Sequence, residues 1–178
     1  MTIDRAKHSL AVAKAMYLIC EHLLRFDKAT SRKAFVIGFN HDIGYGDKEA
    51  VSTTHQEVGS EMLYSFSPEL AMLVRDHGKP NVMYPTLSYG KWLFLLDLAD
   101  NSVTGDGSPV AYQSRVKDIA KRYANKPEVL EYTNNVHKNM EWYAENYLKE
   151  NDQHLYKVWT MFNDNSLANF LTKTWNEV

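Results

Sequence analysis

Imidazole and carboxylate side chains recur in this sequence where helices begin or end. His8 stands in RAKHSLAVA, His41 and Asp42 are adjacent in FNHDIGYG, and His55 stands in THQEVG. His77 falls in VRDHG, and Asp97 and Asp100 lie three apart in LLDLADNS. Asp100 closes a stretch that is otherwise almost wholly apolar, and His41-Asp42 follow AFVIGFN. A carboxylate without a partner in such surroundings is costly, or is neutralised by a shifted pKa. A divalent cation reverses that balance, because imidazole nitrogen and carboxylate oxygen are its natural ligands. The economical expectation is one shared cation site that gathers several of these groups from separate segments. Local spacing adds nothing to this, since no HExxH-type pattern puts two ligands on one helix face. His41 and Asp42 point about 100° apart around a helix and converge on an ion only at a helix end.

The elements that must position these groups read as helices. Leu10, Ala13, Tyr17, Cys20 and Leu24 recur at steps of three and four, and Val12, Met16 and Ile19 extend the apolar surface beyond one face. The first helix is therefore expected to be central. A second helix is expected from Thr30 or Ser31 as N-cap towards Gly44, with Gly44 and Gly46 stopping it through left-handed geometry. A third is expected over 55–65, and Ser67-Pro68-Glu69 is a start signal for a fourth ending near Gly78. LSYGKWLFLLDLAD is too apolar for a surface and should form a buried helix. TGDGSP at 104–109 reads as a loop, followed by helices near 110–124 and 128–149 and two more. No repeat and no alternating strand pattern of useful length is present, so the expected fold is all-α.

The 178 residues suit one domain with a real core, taken as 1–178. The formal charge of −2 and a pI of about 6.4 provide no global positive field, so no nucleic-acid polymer is expected as partner. The single cysteine, Cys20, excludes an internal disulfide and a cysteine-based zinc cluster, and reads as a small buried hydrophobe. No run approaches the roughly 20 apolar residues of a membrane span, and the start resembles no signal peptide. The expected compartment is the cytoplasm. From about 130 the chain is rich in aromatics, including Tyr132, Trp142, Tyr143, Trp159 and Phe162. These are read as helices packing back over the first half, with a homodimer face or a substrate lid as the sharper alternative. His22, His137 and His154 stand in no motif and are read as surface or packing residues.

The ordered set His8, His41-Asp42 and Asp100 resembles the signature of the HD superfamily of metal-dependent phosphohydrolases. KHSLAVA, NHDIG, HQEVGSEML and LADNSV are each similar to a segment of that family, in its order, over roughly residues 5 to 125. Residues 126–178 carry no such likeness and are expected to be additional helices. The resemblance implies a helical bundle with a metal centre in its core, held by His8, His41, Asp42 and Asp100. His55 and His77 match further ligands of two-metal relatives, in which Asp42 bridges the ions. Mixed imidazole–carboxylate ligation suits iron, manganese, nickel or zinc better than magnesium.

One position departs from the two-metal relatives: Tyr45 stands where many of them have a lysine after His-Asp-Ile-Gly. Lys48, Arg75 or Lys79 is then a candidate for the phosphate-binding cation, with a solvated surface position as the other reading of each. The expected chemistry is hydrolysis of a small phosphomonoester or nucleotide by a metal-activated water. Asp42 would orient the nucleophile, and His77, if not fully engaged by metal, would protonate the leaving oxygen. Asp97 is expected to contact substrate, support a ligand, or make a purely structural hydrogen bond. The same ligands would also serve a di-iron oxygenase, and a non-catalytic nucleotide-binding module is the third reading.

Overall fold

Thr2 accepts a hydrogen bond from the Arg5 N–H and starts α1 (Ile3–Leu18), which runs on through one wider π turn, Ile19–Leu23. The computed structural model describes residues 2–46, 54–80 and 83–178. His8, Ala11, Val12, Ala15, Met16, Leu18, Ile19 and Cys20 are all buried, so α1 is covered on more than one side. Leu10 is the exception to the expected face: it is 45% exposed, because the helix is phased by His8, Ala11 and Ala15. Burial pushes the Cys20 thiol up to about 12, as befits a packing residue.

Two local expectations are corrected in the next segment. Helix α2 spans Lys28–Asn40, and its N-cap is Asp27, whose carboxylate accepts from the Thr30 N–H and the Thr30 hydroxyl. Thr30 lies inside the first turn because the aspartate upstream already satisfies its free donors. The helix stops at Asn40, and Ile43–Gly46 form a tight 3-10 turn with neither Gly44 nor Gly46 in the left-handed region. Gly44 serves close approach instead, since a Cβ there would fall 1.9 Å from the His55 carbonyl oxygen. Gly38 does the same between α2 and α1, where a Cβ would meet the Ala13 backbone at 2.8 Å.

Helix α3 (His55–Tyr64) opens with a capping box between Thr54 and Glu57. Helix α4 (Pro68–Asp76) opens with Ser67 as cap and proline in its first turn. Leu63, Ala71 and Val74 form a small cluster between these two, with Ile43 of the 3-10 turn packed on it. Helix α5 (Ser88–Asp100) buries every residue from Leu93 to Ala99, as its composition demands. A loop follows, closed by a single antiparallel bridge between Val103 and Pro109.

Helices α6 (Tyr112–Arg122) and α7 (Pro127–Tyr143) come next, and α7 continues through a π turn, Ala144–Leu148, into the short α8 (Lys149–Asn151). Helices α9 (Gln153–Asn163) and α10 (Ser166–Thr174) complete the bundle. The main core joins α1 and α5 to Met140 and Tyr143 of α7, Trp159 and Phe162 of α9, and Leu171 of α10. Several of the C-terminal aromatics are therefore packing residues, whereas Trp142 remains half exposed. Among the described residues the secondary structure is helical, with no strand. Among the described residues, no helix is long and apolar enough to cross a membrane.

Candidate metal centre

Each buried histidine is held by its outer nitrogen. On α1, the His8 Nδ1–H donates to the Thr104 carbonyl at 2.9 Å. At the end of α2, the His41 Nδ1–H donates to the Gly38 carbonyl at 2.7 Å, and at the end of α4 the His77 Nδ1–H donates to Val74 at 2.6 Å. A carbonyl only accepts, so the proton sits on Nδ1 and each Nε2 is left facing inward. What those nitrogens face is carboxylate. His41 Nε2 lies 3.2 Å from Asp42 Oδ2 and 4.0 Å from Asp100 Oδ1. His8 Nε2 lies 2.8 Å from Asp100 Oδ1 and 3.9 Å from Asp42 Oδ2. On the other side of Asp42, Oδ1 lies 3.2 Å from His55 Nε2 and 3.8 Å from His77 Nε2.

Two trios result, His8–His41–Asp42 and Asp42–His55–His77, each with ligand atoms within 4.8 Å of one another. Asp42 belongs to both. Lone pairs of neutral imidazole pointed at carboxylate oxygens repel unless a proton or a cation lies between them. Protons play that part when no cation does. Burial pushes His41 down, but Asp42 and Asp100 outweigh it and bring its pKa up to about 9. Burial opposes ionisation of Asp42 as well, yet His41, His55 and His77 hold it well below the usual carboxylate range. Asp100 is lowered in the same way against burial, chiefly by His8 and then by Arg115. His55 is lowered, since burial and the neighbouring His77 prevail over its hydrogen bond to Asp42. A divalent ion would replace these protons with a single charge at the convergence of imidazole nitrogens and carboxylate oxygens, and the residues present fit one.

Asp97 lies just outside the two trios and is fully engaged. Its Oδ1 accepts from the Gly78 N–H at 2.7 Å and its Oδ2 from the Tyr84 hydroxyl at 2.7 Å. The first of these bonds ties the turn after His77 to α5. Burial pushes the Asp97 carboxyl up to about 6 despite both donors.

The HD domain sequence profile matches residues 5–104, more than half of the chain. The chain belongs to the HD domain family. No curated protein and no solved structure gives a significant match. The HD match takes in α1 to α5 with all six histidines and aspartates of the two trios and Asp100, and ends at Thr104, whose carbonyl holds His8. The motif likeness extends to about 125, whereas α6 and the helices after it lie outside the matched residues.

The HD centre opens into a cavity of about 510 Å³ whose floor includes Asp42, His55, His77 and Asp100. Its far wall is supplied by the helices beyond the match: Arg115, Ile119 and Arg122 of α6, and Val129, Tyr132 and Val136 of α7. Arg5 and Tyr45 complete the near wall, with the Arg5 guanidinium 4.2 Å above the Tyr45 ring and that ring stacked on His55 at 4.1 Å. Arg5 also binds Asp42 Oδ2 at 2.6 Å. The cations expected from the sequence are placed elsewhere. Arg75 is spent on Asp76 at 2.7 Å on the exposed side of α4, Lys79 does not line the cavity, and Lys48 lies outside the described residues. Arg5 was legible in principle, being one turn before His8 on the same helix face. Arg115 and Arg122 had no signal, because nothing local says that α6 folds over the centre.

Proposed function

We propose that this HD-family chain is a metal-dependent phosphohydrolase with a two-ion centre, acting on a small phosphomonoester or nucleotide. His8, His41, Asp42 and Asp100 would hold one ion, and Asp42, His55 and His77 the other. The observation that carries this is the Asp42 carboxylate, which offers Oδ2 to His41 and Oδ1 to His55 at the same 3.2 Å. A carboxylate placed this way would hold both ions. The donor set of imidazoles with few carboxylates favours iron, manganese, nickel or zinc over magnesium.

When bound, the ions supply Lewis acidity towards phosphoryl oxygens and make water acidic enough to ionise near neutral pH. The chain's own residues do the rest. Asp42 and the three carbonyl-anchored histidines fix the centre in place, so little reorganisation is needed during reaction. Arg5, held beside Asp42, and Arg115, held beside Asp100, offer positive charge to phosphoryl oxygens at the cavity floor. These arginines suit an anionic, phosphorylated substrate. His77 has a single nitrogen facing the centre, since Nδ1 is tied to Val74. It therefore serves either as ligand or as proton donor to the leaving oxygen, the latter only when one ion is bound. The same reading takes 1–178 as one unit, with the C-terminal helices supplying the substrate wall.

The test is metal analysis of the purified chain followed by a phosphate-release panel with iron, manganese, nickel, zinc and magnesium. Phosphate release that needs one of the first four and vanishes in Asp42→Ala is expected. Oxygen consumption without phosphate release would replace this reading with the oxygenase one.

A further inference from the structure

We propose that Arg115 and Arg122 form an anion subsite beside the metal centre that selects substrates carrying a diphosphate group; this rests on the phosphohydrolase reading above. Arg115 is 6% exposed and lines the cavity. A guanidinium has five N–H donors, and this one uses few of them well. Its two contacts, to Asp118 Oδ2 at 3.3 Å and Asp100 Oδ1 at 3.5 Å, are long for charge-assisted bonds. Its Nε has no partner among the described residues. A buried cation left so incompletely paired is unfavourable by itself and becomes favourable when an anion arrives.

Arg122 lies two turns along α6 on the same face and also lines the cavity. Its Nε and Nη2 reach the same Asp118 oxygen at 3.1 and 2.8 Å. One carboxylate oxygen thus gathers two guanidinium groups side by side and neutralises only one of them. The positions are ordered. Arg115 touches Asp100 at the floor, whereas Arg122 stands one step outward, where the cavity adjoins a second pocket of about 450 Å³ lined also by Arg5, Asp4, Asp106 and Asp118. A single phosphate over the centre is already met by Arg5 and Arg115, whereas Arg122 meets Asp118 through Nε and Nη2 only and keeps further N–H donors to offer. A second phosphoryl group bonded to the first would fall next to Arg122, since the two guanidinium groups are neighbours. The apolar surface of Val129, Tyr132 and Val136 opposite suits the organic part of such an ester.

The experiment uses the full chain loaded with excess manganese and isothermal titration of two non-hydrolysable probes, methylphosphonate and methylenediphosphonate. The wild type is expected to bind the diphosphonate about tenfold more tightly, the effect of one added charge-assisted contact. In Arg122→Gln, an exposed change that α6 tolerates, the ratio is expected to fall to within about threefold. Arg115→Lys, which keeps the charge and loses the fork, is expected to narrow it too. Equal affinities in the wild type, no binding of either probe, or an unchanged ratio in Arg122→Gln would each overturn the subsite. Because the readout is binding, its failure is separate from failure of the hydrolase reading, which shows as absent phosphate release.

Discussion

Asp42, just past the end of α2, and His55, the first residue of α3, meet at 3.2 Å through Oδ1 and Nε2. Backbone proximity makes the contact possible. Gly44 sits so close to α3 that a Cβ would lie 1.9 Å from the His55 carbonyl oxygen and 2.7 Å from the Gly59 nitrogen. Both neighbours are backbone, so neither gives way by a rotamer change. Gly44→Ala is expected to push α3 outward and cost about 1–3 kcal/mol, the usual range for overpacking. It should also lose the ion on the His55–His77 side while retaining the other. Thermal unfolding and metal analysis of the variant check both outcomes.

Asp42 belongs to both trios, so its loss should differ in kind from loss of a terminal ligand. Asp42→Ala is expected to bind neither ion and to lose activity by more than about 100-fold, beyond the 10–100-fold typical of outer-sphere partners. Far-ultraviolet circular dichroism should stay helical. His55→Gln is expected to keep one ion of two. Equal metal content in these two variants would show that Asp42 does not bridge.

Stability of the metal-free chain should depend on pH through His41. Its folded pKa of about 9 exceeds the ordinary 6.5, so the stabilisation is complete below 6.5 and is lost as pH rises through 9. Metal binding requires the same nitrogen unprotonated, so affinity for the ion rises over that window. The gap in Tm between metal-loaded and chelator-treated protein is therefore expected to widen from pH 6.5 to 9. Scanning calorimetry at three pH values measures it; a constant or shrinking gap would remove His41 from the centre.

Asp97 is expected to support the centre through the turn that follows His77, where it accepts from the Gly78 N–H. Asp97→Ala strips the acceptor from the buried Tyr84 hydroxyl and from the Gly78 N–H, at about 1–3 kcal/mol for each orphaned donor. His77 then loses its support, and occupancy on the His55–His77 side should fall with the Tm. Asp97→Asn is expected to retain most of both. Its amide oxygen still accepts from Gly78, and the Tyr84 hydroxyl turns to accept from its nitrogen. Metal titration of the two variants distinguishes support from a packing effect, since packing alone would lower Tm without changing occupancy.

Much of this molecule was legible without coordinates. Helical periodicity and the absence of alternation announced an all-α fold, and the apolar run before Asp100 announced a buried helix, because burial must match the period of the chain. The ligand candidates stood out because imidazole and carboxylate at the ends of apolar helices need a reason to be there. Local signals misled where two mechanisms share one residue type. Gly44 read as a helix stop and proved to be a point of close approach, and Thr30 read as a cap that Asp27 already provided. The tertiary structure alone decided that Asp42 faces two pairs of histidines, and that Arg5, Arg115 and Arg122, instead of Arg75 and Lys79, stand over them. Composition and spacing report which face of a helix is buried. Which helix covers which is set by packing between segments far apart in the chain, and no local pattern records it.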